Sequence, residues 1–73
     1  MMRVKHRWET EQRYYEVLVT KDLFDNYVLI TAWGGKYNKH AQVKTVAVGE
    51  LQILSKLAQI QKARLLRGYR QLF

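Results

Sequence analysis

The chain contains no cysteine and no proline among its 73 residues. Without cysteine there is no disulfide scaffold, no thiolate metal site and no thiol nucleophile, and a reducing cytoplasm is the expected compartment. Acidic residues are scarce: 6 Asp+Glu stand against 13 Lys+Arg, a formal net charge of +7, with a pI near 10.0. That excess is larger than solubility alone requires and directs attention to anionic partners. Long hydrophobic runs are also missing. The longest, Val17 to Val19 and Tyr27 to Ile30, fall far short of the roughly 20 residues that cross a bilayer. The charged start Met1 to Lys5 has no apolar stretch behind it, so neither a membrane span nor a secretory signal is expected.

The raw material for catalysis is thin. The acids are Glu9, Glu11, Glu16, Asp22, Asp25 and Glu50, the histidines are His6 and His40, and the single serine, Ser55, falls in a helical stretch. None forms a recognised catalytic spacing, so neither an enzyme nor a cofactor is expected. Asp22 and Asp25 could share a site as an acid pair, but Asp in a turn more often accepts from backbone amides. His6 and His40 lie too far apart in sequence to suggest a metal site and read as solvated.

Hydrophobic residues nevertheless make up 48% of the chain, too many for a disordered basic tail. They suffice for one small domain that buries roughly 60% of its unfolded surface. Residues 1–12 carry no convincing period and read as an N-terminal arm or edge strand, leaving 13–73 as the domain proper. Arg13 to Thr20, RYYEVLVT, alternates β-branched and aromatic residues as a strand does. Lys21 to Asn26 reads as a turn, with Leu23 and Phe24 folding back as a plug. Tyr27 to Trp33 is apolar on both faces and predicts a central strand.

Gly34-Gly35 opens a polar, basic hairpin loop. Gln42 to Val48 then alternates again, with Val43, Thr45 and Ala47 on one face and Lys44, Val46 and Val48 on the other. A helix is predicted from about Gly49, as N-cap, to Arg67, with Leu51, Leu54, Leu57, Ala58 and Leu65 turned to the sheet. Gly68 is its natural terminator and Tyr69 to Phe73 a short tail. The expected fold is α+β: a small antiparallel sheet of three to four strands packed by one C-terminal helix.

The most informative stretch is the glycine hairpin. Lys36, Lys39, His40 and Lys44 cluster there with Trp33, Tyr37 and Asn38 interleaved, which offers charge for phosphates beside flat rings for sugars or bases. The competing reading makes Trp33 an ordinary core residue and the lysines a solvated loop. On the helix, Lys56, Lys62, Arg64 and Arg67 either assist such binding or only solubilise the outer face. Leu66, Ile53 and Ile60 hint at a second contact, such as a homodimer.

Arg13-Tyr14-Tyr15-Glu16-Val17, Lys21-Asp22-Leu23-Phe24, Tyr27-Val28-Leu29, Trp33-Gly34-Gly35, Gln42-Val43-Lys44-Thr45 and Arg67-Gly68-Tyr69 follow one another in an order and spacing that resembles the WGR domain. This family is named for a Trp-Gly-Arg signature. It is known as a DNA-binding module of poly(ADP-ribose) polymerases and as small bacterial proteins. The resemblance implies an antiparallel sheet packed by a helix, with the Trp beside the sugar-phosphate at a DNA end or break. Two departures stand out: the signature Arg is Gly35 here, and the hairpin Lys36 to Ala41 is slightly longer. Only Trp33 and Gly34 carry over directly, and Lys36 and Lys39 are the candidates to replace the missing charge.

The expected function is therefore binding of nucleic acid, double-stranded DNA or DNA ends rather than RNA, with little sequence specificity. Trp33, Gly34, Lys36, Tyr37, Lys39, His40 and Lys44 are the candidate contacts, with Arg64 and Arg67 as helpers. The rival expectation is a protein-interaction or homodimerisation module built on Leu66 and Tyr69, its charge incidental.

Overall fold

The period-2 alternation of Arg13–Lys21 is the spine of the molecule. In this computed structural model, which describes residues 4–24, 26–37 and 40–73, that stretch is strand β2, flanked by β1 (Val4–Glu9) and β3 (Tyr27–Gly35). Strand β4 (Gln42–Val48), helix α1 (Ile53–Leu66) and a two-residue strand β5 (Arg70–Gln71) follow. The five strands form one sheet in the order β4-β3-β2-β1-β5, with every neighbouring pair antiparallel. The architecture is α+β with one C-terminal helix, as expected, but with more strands than the three or four predicted.

Both extra contributions come from the chain ends. Val4, His6 and Trp8 alternate with Lys5, Arg7 and Glu9, a pattern obscured by the polar His6, yet Trp8 is buried. β1 has β2 on one side and β5 on the other. The expected tail instead returns to the sheet: Trp8 lies opposite Gln71, and the Leu72 N–H donates to the Arg7 carbonyl at 2.8 Å.

Register puts Trp8, Tyr15 and Trp33 in line across three strands, and His6, Val17 and Thr31 in the next row. Those rows face the helix. The core on that side is Trp8, Val17, Val19, Leu29, Val48 and Ile53. The opposite sheet face, with Glu16, Leu18, Ile30 and Ala32, has no layer over it among the described residues.

The helix departs from expectation in start and in rotation. It begins at Ile53, and Gln52 at the N-cap makes no side-chain capping bond. Gly49 instead accepts from the Gln52 N–H in a preceding turn. Its sheet-facing side is Ile53, Leu57, Ile60 and Arg64, not the stripe containing Leu54, Ala58 and Leu65. Leu54 is 77% exposed and Leu51, ahead of the helix, 96% exposed; of the predicted set only Leu57 packs on the core. Apolar residues lie almost all round this helix, so periodicity offers two competing faces.

The helix C-terminus is where the choice is fixed. Gly68, at φ 82°, adopts the left-handed conformation that lets its N–H reach the Leu65 carbonyl at 3.1 Å and the Tyr69 N–H reach the Arg64 carbonyl at 2.9 Å. These are the two bonds of a Schellman motif, and they carry Tyr69 back under the helix and Arg70 onto β1.

In the β2–β3 turn, the Asp22 carboxylate accepts from the N–H groups of Phe24 at 2.8 Å and Asn26 at 2.9 Å. Asp22 thus caps backbone amides, while Asp25 lies outside the described residues. Leu23 and Phe24 are exposed and plug nothing, because the Asp22 bonds hold the turn tight without them.

With this helix rotation, Ile53→Ala should lower stability by roughly 2–5 kcal/mol, whereas Leu54→Ala should change it by less than about 0.5 kcal/mol. Urea unfolding of the two variants checks this. The reverse ranking would mean the helix presents its other face to the sheet.

Candidate nucleic-acid interface

Helix α1 starts beside the end of β4, where Val48 and Ile53 share the core, and ends against β5. It therefore crosses the sheet diagonally and leaves uncovered the corner where β3 ends in Trp33. A cleft of about 990 Å³ opens there between helix and sheet. Trp33, Gly34, Tyr37, Lys44, Arg64 and Arg67, all expected at the interface, line it together. So do Gly35, Arg13, Lys56, Tyr15 and Tyr69.

The floor of the cleft is aromatic. The Tyr15 and Trp33 rings stack at 6.1 Å with an interplanar angle of 24°, and Tyr15 meets Trp8 edge-on at 6.2 Å. Their positions follow from cross-strand register, which sets these side chains side by side on one face. Trp33 is half-buried, neither a sealed core residue nor a loose one. Tyr37, just past the end of β3, is 86% exposed.

The Arg64 guanidinium lies over the Tyr15 ring at 4.1 Å and over Tyr69 at 5.0 Å. Arg64 is only 9% exposed, and its Nε is buried without a hydrogen-bond partner among the described residues. Arg13, Lys44, Lys56, Arg64 and Arg67 thus put five cations on one cleft, and among the described residues no carboxylate lines it.

Glu9 and Glu16 are on the other face of the sheet. Arg7 pairs with Glu9 at 2.6 Å and with Glu16. Lys5 reaches Glu16 at 3.6 Å, and Lys36 reaches Glu9 at 2.6 Å. Arg7 also lies 4.9 Å from the Tyr14 ring centre. The hydrogen bond from Lys36, reinforced by that from Arg7, holds the Glu9 carboxyl below its ordinary value. Glu9 in turn, with Glu16, raises the Arg7 guanidinium.

Two expected contacts are not brought to the cleft. Lys36 is drawn to Glu9, and its N–H donates to the Gln12 carbonyl at 2.8 Å. His40 is exposed outside the cleft, and Lys39 lies outside the described residues. Gly34 allows close approach, but by the chain itself: a Cβ there would sit 3.3 Å from the His40 carbonyl oxygen.

Arg13, Tyr15 and Tyr69 were not among the expected contacts. The first two were within reach of the pattern, since Arg13 and Tyr15 share the Trp33 face by strand alternation and pair with Gly35 and Trp33. Tyr69 arrives through the helix cap, which hydrophobic periodicity does not encode.

Because the folded-state Glu9 carboxyl is depressed, its contribution to stability is present above the ordinary carboxylate range and is lost as pH falls through its lowered value. Glu9→Gln should therefore cost more stability at pH 7 than at pH 3, as read from urea midpoints. An equal cost at both pH values would mean the ion pairs with Lys36 and Arg7 do not hold the carboxylate.

Compared with protein-family profiles, with curated proteins and with solved structures, the chain matches none.

Proposed function

We propose that the chain is a cytoplasmic nucleic-acid-binding module, favouring DNA over RNA and DNA ends in particular, with little sequence specificity. The observation that carries this reading is the cleft itself, with Trp33 at its floor and, among the described residues, five cations and no carboxylate in its lining. Lys and Arg neutralise phosphates whatever the sequence. Aromatic rings stack on any base or sugar.

The resemblance to the WGR domain supports the same reading and adds the preference for DNA ends. At the signature position, Gly35 lies directly opposite Arg13 in the β2–β3 register, so a guanidinium from the neighbouring strand takes the place of the missing one. Arg13 fills this role better than Lys36, whose ammonium is engaged by Glu9.

One observation favours the rival reading, a protein-interaction or homodimerisation surface. Leu51, Leu54, Leu65 and Leu66 are all exposed along the outer side of the helix region. Tyr69, the other residue expected there, is taken up in the stack with Arg64.

Four neutralised phosphates give a slope of log K against log salt of about −3.6 on duplex DNA. Anisotropy titrations across salt should show this, and Lys44→Ala or Lys56→Ala should each make the slope shallower by about 1. Lys36→Ala should leave it unchanged. A flat salt response would favour the partner-binding reading.

A further inference from the structure

Among the described residues His6, Trp8 and Arg64 each bury a polar atom with no partner, and of these three Arg64 lines the cleft. A buried guanidinium is ordinarily held by a carboxylate, because desolvating the charge is costly unless it is paired and hydrogen-bonded. Here the two tyrosine faces at 4.1 and 5.0 Å offer cation–π attraction but accept no N–H bond in the guanidinium plane. Among the described residues the Nε–H has no acceptor, and an unsatisfied buried donor needs an explanation, an acceptor from outside the chain being one. The remaining charges around the cleft are cations, so the acceptor that fits is an anion from outside the chain.

The size of the molecule limits what can bring it. The shortest principal extent of the whole domain is 17 Å, and the cleft occupies only the space between one helix and one corner of the sheet. A paired duplex carries its phosphates on the outside and exposes a base face only at its terminal pair, so it cannot enter this space and present a base to Trp33. One unpaired strand can do both. Tyr15 links Arg64 to Trp33 through contacts of 4.1 and 6.1 Å, a span on the scale of a single nucleotide.

Resting on the nucleic-acid reading above, we propose that the cleft accepts a single unpaired strand, with a backbone phosphate on the Arg64 guanidinium and bases or sugars on Trp33 and Tyr37. At a DNA end the bound element is then the frayed or overhanging strand. Lys44 and Lys56 hold the neighbouring phosphates.

The test compares two probes on the full chain by fluorescence anisotropy at one moderate salt concentration: a labelled oligothymidylate, and a sealed dumbbell duplex of equal length whose loops are replaced by non-nucleotide linkers. The oligothymidylate should bind at least about tenfold tighter, since stacking and the buried guanidinium are available to it alone. Arg64→Lys keeps the charge and loses the planar fork. It should weaken oligothymidylate binding about tenfold and change dumbbell binding less than about twofold. Tyr37→Ala, at an exposed position that folding does not need, should weaken only the oligothymidylate, by about fivefold or more.

Dumbbell binding as tight as, or tighter than, oligothymidylate binding overturns the single-strand inference and leaves the nucleic-acid reading standing. Binding of neither probe overturns the single-strand inference, and the nucleic-acid reading falls with it if an open, blunt-ended duplex also fails to bind. Equal losses on the two probes in Arg64→Lys overturn the role of Arg64. Should that variant fail to fold by circular dichroism, the probe comparison on the parent chain and on Tyr37→Ala still decides the inference.

Discussion

The Arg64 guanidinium, 4.1 Å from the Tyr15 ring centre and 5.0 Å from that of Tyr69, is where three distant parts of the chain meet. Its backbone carbonyl accepts the Tyr69 N–H across the Gly68 turn, so the residue that stacks on the sheet also closes the helix. That closure sends Arg70 and Gln71 onto β1 and completes the sheet. The same contact sets the rotation of the helix: once Arg64 faces Tyr15, Ile60, Leu57 and Ile53 must face the sheet with it, one, two and three turns back along the same stripe. Leu54 and Leu65 are then left outside.

Charge segregation follows from the strand alternation. Lys5, Arg7, Glu9 and Glu16 occupy the sheet face away from the helix, where Lys36 joins them and the carboxylates are consumed in ion pairs. The cleft on the helix side is lined by cations and, among the described residues, by no acid. Ion pairs near the surface add little stability individually, but they occupy Glu9 and Glu16 on the face away from the cleft. The basic excess of the sequence is thereby concentrated on one cleft.

Much of this was legible in the sequence because strands obey a strict period. The extents of β2, β3 and β4 and the two faces of β4 follow directly from alternation, and the same alternation sets Trp33 beside Tyr15. The helix was harder: with leucine and isoleucine on nearly every side, hydrophobicity cannot choose a face, and the deciding residue is an arginine that periodicity counts as polar. Lys36 was misplaced for a related reason, since proximity in sequence to Trp33 conceals that a residue an odd number of steps along, here three, faces the other way. β5, two residues long, has no period at all and depends on the turn at Gly68.

The central claim is that Arg64 is an anion site waiting within the cleft, and the most direct measurement reads its side chain. In a ¹H–¹⁵N spectrum that resolves arginine Nε–Hε groups, adding oligothymidylate should shift the Arg64 signal and slow its exchange with water, together with a shift of the Trp33 indole N–H. The Arg7 signal, held between Glu9 and Glu16 on the opposite face, should stay in place. Shifts confined to Arg7 and the outer leucines, or none at Arg64 at saturating oligonucleotide, would contradict the account.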